Sequence, residues 1–207
     1  MNKRRAIHDR VLQADSPAEL GRAYAQWAED YDADLVQRMG YAAPGVAAAQ
    51  LQALVRDRDA RILDAGCGTG LVGEALHALG YRALIGLDYS EAMLEQARRK
   101  AVYRSVHQGD LMARLDFEDA AFDAVICVGT FTLGHIGPSA FGELLRVVRP
   151  GGHLCFTVRD EAWDQDDYAG ALEALVSAGR IAELEDRLVP YISEDDSQCR
   201  LCTARVR

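Results

Sequence analysis

Between residues 61 and 71 the chain reads Arg61-Ile62-Leu63-Asp64-Ala65-Gly66-Cys67-Gly68-Thr69-Gly70-Leu71. An apolar run gives way to glycine at every second position, and then to the start of a helical pattern. Glycine serves where the backbone takes positive φ, or where a ligand must approach with no Cβ in the way. N–H groups at a helix start face whatever occupies the turn before it. The stretch therefore predicts a buried strand, a tight turn and a helix, with a nucleotide-like ligand lying across the turn.

From residue 60 onward strand and helix patterns alternate, which predicts a mostly parallel sheet covered on both faces. Strands are expected at 61–64, 83–87, 103–107, 122–127 and 153–158, with weaker signals at 187–192 and 200–206. Helices are expected at 71–79, after the Ser90 cap up to Lys100, at 138–148 and at 165–178. Before this core, Ser16-Pro17-Ala18-Glu19 reads as a capping box with proline at the first helical position. Its helix would place Leu20, Tyr24, Trp27 and Tyr31 on one face, with three polar handles among them. A second helix is expected at 46–55. The resulting division is an N-terminal helical lid or cap at 1–59 and a core at 60–207, within one compact domain.

Gly68-Thr69-Gly70-Leu71-Val72-Gly73 matches the dinucleotide pattern G-x-G-x-x-G, and Asp88 ends the second strand where a ribose-binding acid would sit. The spacing to Asp88 is short for that pattern, and the chain lacks room for a second nucleotide-binding half. A second reading uses more residues. Asp64 precedes the first glycine by two, and its carboxylate would repel a pyrophosphate while tolerating an ammonium or sulfonium. S-adenosylmethionine carries both cations and no phosphate. Its ribose diol suits Asp88 as a double acceptor, and its adenine amine suits Asp110.

Residues 60–158 resemble a class I S-adenosylmethionine-dependent methyltransferase domain. Asp64-Ala65-Gly66-Cys67-Gly68-Thr69-Gly70 matches that family's first motif. Leu87-Asp88-Tyr89-Ser90 with Met93 and Leu94 matches its ribose segment, and Gly109-Asp110-Leu111 its adenine segment. Phe122-Asp123-Ala124-Val125-Ile126 and Arg149-Pro150-Gly151-Gly152 resemble the approaches to its fourth and fifth strands. Tyr24-x-x-Trp27-Ala28-x-x-Tyr31-Asp32, Gly40-Tyr41-x-Ala43-Pro44 and Val128-Gly129-x-x-Thr132-x-Gly134-His135 are similar to the methyltransferase-like proteins of the Williams–Beuren-region type and their bacterial relatives. The resemblance implies a Rossmann-like sheet of seven strands under an N-terminal helical lid. It implies that Tyr24, Trp27 and Tyr31, with Val128 and Gly129, face the cofactor, a tyrosine such as Tyr31 reaching its methionine carboxylate.

Methyl transfer is an in-line displacement from an activated sulfonium, so positioning and exclusion of water can supply much of the catalysis. The expected base for a hydroxyl or amine acceptor is His135, in the loop after the fourth strand. His8, His77, His107 and His153 fall outside that edge. Val128-Gly129-Thr130-Phe131 departs from the Asn/Asp-Pro-Pro-aromatic signature of enzymes that methylate amide or exocyclic nitrogens. A net charge of −9 argues against binding to phosphate backbones, and the basic start Lys3-Arg4-Arg5 reads as a solvated tail. The expected acceptor is a small molecule at an O, N or C atom, with residues 163–178 walling its pocket, in a monomer or homodimer. A non-catalytic cofactor-binding protein acting through a partner is the alternative from another class. No apolar run is long enough to span a bilayer, and no apolar segment follows the basic start, which predicts a cytoplasmic protein without a signal peptide. Five cysteines are expected as reduced thiols, and Cys199-x-x-Cys202 lacks the further ligands of a zinc site. No metal is expected.

Overall fold

The computed structural model describes residues 17–132 and 136–207. Ser16 of the capping box, the basic start at Lys3-Arg4-Arg5, His8 and His135 lie outside the described residues, as does the side chain of Leu20.

The core is a seven-stranded sheet in the order β3-β2-β1-β4-β5-β7-β6. Its strands are β1 (Ile62–Ala65), β2 (Leu84–Asp88), β3 (Ser105–Gln108), β4 (Phe122–Phe131), β5 (Val148–Arg159), β6 (Ile181–Ile192) and β7 (Ser197–Val206). β1 to β5 pair in parallel, and β7 is antiparallel to both β5 and β6. Alternation along the strands feeds two cores. Leu63, Val125 and Phe156 pack on one face of the sheet, and Ile62, Ala124 and Cys155 on the other. From β1 the chain winds outward to β2 and β3, and then returns to place β4 on β1's other side. The carboxyl ends of β1 and β4 therefore open on a crevice, the place where such sheets bind ligands.

The helices are α1 (Pro17–Trp27), α2 (Ala43–Leu54), α3 (Leu71–Ala78), α4 (Glu91–Lys100), α5 (Phe141–Val147), α6 (Asp160–Gln165) and α7 (Tyr168–Ser177). Ser90 caps α4 as expected, accepting from the Met93 N–H. A π-helical turn spans Ala33–Arg38, and a short 3-10 turn over Pro138–Ala140 leads into α5.

Several boundaries differ from the sequence reading, each for a local reason. α1 stops at Trp27, so Tyr31 does not share its helical face. The Tyr24 and Trp27 rings nevertheless meet the Tyr31 ring at 6.2 Å and 4.7 Å, because the chain folds back after the helix. α2 starts three residues early, with Pro44 in its first turn. The helix expected at 165–178 is two helices. Asp167 takes φ +50°, breaks the run and caps α7 by accepting from the Gly170 N–H at 3.1 Å. β4 runs on to Phe131 through a bulge at Gly129, which has φ +73°. β6 starts six residues before the expected position. Its charged positions hid it, and what defines it is its antiparallel pairing to β7, from Ile181 opposite Val206 to Ile192 opposite Ser197. Cys199 and Cys202 lie three apart in β7 and so face opposite cores.

Candidate cofactor and acceptor site

The turn after β1 is built by three glycines with positive φ, Gly66 (+73°), Gly68 (+53°) and Gly70 (+94°). Its first N–H groups, on Gly66 and Cys67, donate to the Leu87 carbonyl at 2.7 and 2.9 Å and tie the turn to β2. The Gly68 N–H donates to Asp88 Oδ2 at 2.8 Å, and the Ser90 N–H to Asp88 Oδ1 at 2.8 Å. Asp88 thus joins the glycine turn to the start of α4. Burial raises the Asp88 pKa, and the N–H donors of Ser90, Gly68 and Tyr89 work against that rise.

The glycines divide their work. A Cβ on Gly66 would overlap the Thr130 side chain, and one on Gly73 would overlap the Tyr103 ring. Gly70 also packs on Tyr103, and Gly86 on Cys67, Val106 and Tyr103. Gly68 alone of the turn's three glycines faces open space. The last two glycines of the literal G-x-G-x-x-G match therefore admit a tyrosine ring and leave no room there for a pyrophosphate.

Tyr103 reaches through this slot to donate its hydroxyl to Asp64 Oδ2 at 2.6 Å. Asp64 is fully buried beneath the turn. Its Oδ1 makes no hydrogen bond of ordinary geometry, although the Gly73 N–H lies close. Burial, reinforced by the nearby Asp88 charge and opposed by the Tyr103 hydroxyl, pushes its pKa up to about 7. The expected electrostatic role of Asp64 toward a ligand is not what its position shows, since it does not border the cavity.

That cavity measures about 310 Å³ and lies over the carboxyl ends of β1, β2 and β4. Gly66, Cys67, Gly68 and Thr69 form its floor, and Val128, Gly129 and Thr130 one end. At the other end Gly109, Asp110, Leu111 and Met112 face Tyr89 and Met93. Tyr89 and Met112 are half exposed there, a pair of apolar flanks at a mouth. The Asp110 carboxylate takes the Met112 N–H at 2.8 Å. Tyr24, Tyr31 and Tyr41 close the cavity from the N-terminal side. Burial raises the pKa of all three tyrosines, which keeps them protonated as donors.

Most residues singled out from the sequence meet at this cavity. Three do not border it: Asp64, Gly70 and Trp27. Trp27 is buried, and its indole N–H donates to Asp34 Oδ2 at 3.0 Å, so it holds the N-terminal segment together from behind. Among the contributors that escaped the sequence reading of site residues, Met112 and Thr130 line the cavity's two ends, and two more tie the N-terminal segment to it. Tyr41 lines the cavity, and Gly129 exists without a side chain where the Tyr41 hydroxyl approaches β4. Asp32 accepts from the Thr69 hydroxyl at 2.5 Å and pairs with Lys100 Nζ at 2.6 Å, clasping the N-terminal segment to the glycine turn and to α4. Lys100 also pairs with Glu74 at 2.5 Å. Only the motif Tyr31-Asp32 hinted at the first contact.

The chemistry of this lining is uneven in a useful way. Two carboxylates, Asp88 and Asp110, face one part of the cavity, and the described lining residues include no lysine, arginine or histidine. A phosphate-bearing ligand would find repulsion there, whereas a ligand with cations, a diol and an amine finds acceptors. The open face of Gly68 between these acids and the tyrosines leaves space for its amino-acid part. The residues fit S-adenosylmethionine.

Comparison with known proteins agrees. The family described as "Methyltransferase domain" matches residues 62–152. Human methyltransferase-like protein 27 is 38% identical over 191 residues, covering 89% of this chain and 77% of that protein. The malonyl-[acyl-carrier protein] O-methyltransferase of Erwinia pyrifoliae is 35% identical over 127 residues, and the match takes in 56% of this chain and 47% of that enzyme, about half its length. Among solved structures, a SAM-dependent methyltransferase from Thermotoga maritima superposes with a TM-score of 0.63 over 89% of this chain and 98% of its own, at 18% identity. Fold, cavity and relatives together define a class I S-adenosylmethionine-dependent methyltransferase, an enzyme class with that cofactor. Within that class the chain belongs to the family of methyltransferase-like protein 27.

Proposed function

We propose that this enzyme transfers a methyl group to an O, N or C atom of a small molecule, held between the carboxyl end of β4 and the tyrosines of the N-terminal segment. The cavity carries this reading. Asp88 would take the ribose hydroxyls, and Asp110, flanked by Tyr89, Met93 and Leu111, the adenine. The open face of Gly68 and the Thr69 N–H, with the Tyr24 and Tyr31 hydroxyls, would hold the amino-acid end. The bound cofactor supplies a methyl group on a positively charged sulfur, which needs no further activation by acid.

What this chain then provides is position and dryness. Val128, Gly129 and Thr130 form the wall nearest the acceptor side. Tyr24, Tyr31 and Tyr41 cover the cavity as a lid, clasped by Asp32 to Thr69 and Lys100. α6 and α7, with Trp163 stacked on Tyr168, would wall the acceptor's approach. The name of the malonyl-[acyl-carrier protein] relative places its own reaction at an oxygen of a malonyl group borne on a carrier protein, which supports an oxygen acceptor on a small group here. The acidic chain and the absence of a described basic face at the cavity support the same reading over a nucleic acid. Among the described residues no helix is long and apolar enough to cross a membrane.

Calorimetry with S-adenosylhomocysteine and NADH tests the cofactor pocket, and a panel of small phenols, amines and acids with labelled S-adenosylmethionine tests transfer. The expected result is binding of the first ligand but not of NADH, and label on at least one acceptor. Cofactor binding with no transfer to any acceptor would favour a partner-dependent role.

A further inference from the structure

At the end of the cavity formed by Gly129 and Thr130, every polar side chain on the described wall is a hydroxyl. The two lining carboxylates belong to the other end, on β2 and after β3. Behind this wall the Tyr41 and Tyr191 rings meet edge-on at 5.1 Å, and both hydroxyls come up to Gly129. The Arg159 guanidinium carbon lies 4.9 Å from the Tyr191 ring centre, and its charge opposes the rise in the Tyr191 pKa that burial causes. Arg159 ends β5, and its side chain is only 19% exposed. Its Nη2 meets Glu161 at 3.1 and 3.2 Å, but Glu161 is 59% exposed and screened by water. Asp195 is a further acid whose charge interacts with Arg159. A partly buried guanidinium behind a row of hydroxyl donors makes an anion-seeking surface.

We propose that Tyr41 at the cavity wall, polarised by Tyr191 and Arg159 behind it, recognises a carboxylate, and that the methyl acceptor is a carboxylic acid converted to its methyl ester. This rests on the reading of the cavity as a methyltransferase site and narrows its acceptor. A carboxylate oxygen already holds the lone pair it needs at neutral pH. It forms the new O–CH3 bond as the S–CH3 bond breaks, the electron pair stays on sulfur, and no proton is released. Such an acceptor requires no general base. The tyrosines facing it are kept protonated by burial and so act as donors to the anion.

Proton counting separates the acceptor classes. The enzyme is mixed with labelled S-adenosylmethionine and benzoate, hexanoate, phenol or benzylamine in weakly buffered solution with a pH indicator. The expected result is label on the acids, released as methanol by mild alkali, with no proton per turnover. Alkali-stable label on phenol or benzylamine, with one proton released per methyl, would overturn the carboxylate assignment and leave the methyltransferase reading standing. Binding of S-adenosylhomocysteine without label on any of the four would overturn both. Arg159→Gln and Tyr191→Phe should raise the KM for the acid about 10- to 100-fold and about 3- to 10-fold, with Arg159→Lys intermediate. Their affinity for S-adenosylhomocysteine should stay within about twofold of wild type. A parallel loss of S-adenosylhomocysteine affinity would assign the cluster to the cofactor's own carboxylate and sink the proposal.

Discussion

Tyr103 and Asp64, 39 residues apart in sequence, meet at 2.6 Å beneath the glycine turn, the hydroxyl donating to a fully buried carboxylate. The ring passes between Gly70, Gly73 and Gly86 to get there. The turn thus has a ligand side at Gly68 and a protein side at Tyr103.

Asp64 should make stability pH-dependent. Its folded pKa of about 7 lies above the ordinary carboxyl value of 3.8. The unfolded chain therefore releases this proton first, and stability falls as pH rises from about 4 to about 7, then levels off. The full difference amounts to at most about 4 kcal/mol. Asp64→Asn should flatten this part of a Tm-against-pH curve; an unchanged curve would show that Asp64 ionises normally. Tyr103→Phe removes the bond that holds the pKa down, so its Tm should be lower by the equivalent of about 1–3 kcal/mol.

Gly66→Ala and Gly68→Ala should fail in different ways. Both place a side chain at positive φ, a strain of about 1–2 kcal/mol. At Gly66 the new methyl also displaces Thr130, adding about 1–3 kcal/mol, so thermal unfolding should drop sharply. At Gly68 there is open space, so the Tm should fall only by the few degrees that the strain costs, while S-adenosylhomocysteine binding by calorimetry is lost.

Asp88→Ala should weaken S-adenosylhomocysteine by on the order of 100-fold, the loss of a charged acceptor for two hydroxyls together with a looser Gly68 turn. The Tm should change by only a few degrees. Equal affinity in the variant would remove Asp88 from the site.

The Asp32 clasp predicts a kinetic effect. Asp32 is partly exposed, so its pairs with Thr69 and Lys100 are worth little each. Asp32→Ala should speed release of S-adenosylhomocysteine by about 2- to 5-fold in stopped-flow, with the difference shrinking as salt is added. An unchanged release rate would show that the N-terminal segment does not gate the cavity.

What the sequence disclosed was the set of positions that regular spacing marks. Gly66, Gly68, Asp88 and Asp110 stand at strand ends because parallel strands all deliver their carboxyl ends to one edge, and the alternation that says so is local. Asp64 was found but misdirected, because the residue that turns it inward, Tyr103, comes after three further elements. Asp32 meets Thr69, 37 residues on, and Tyr41 meets Gly129 in the fourth strand after it, and no local pattern encodes such meetings. The break at Asp167 depends on one residue adopting φ +50°, which composition does not announce. His135, expected as a base from its loop, lies outside the described residues.

All five cysteines are buried, and burial raises the thiol pKa of each, Cys127, Cys155 and Cys199 to about 12. Oxidants and alkylating agents attack thiolates that they can reach. The folded enzyme is therefore chemically quiet at sulfur, while each molecule that opens presents five reactive groups at once. A thiol-specific label added to the native protein would count open molecules, and protection of Cys67 by ligand would time the opening of the cavity floor itself.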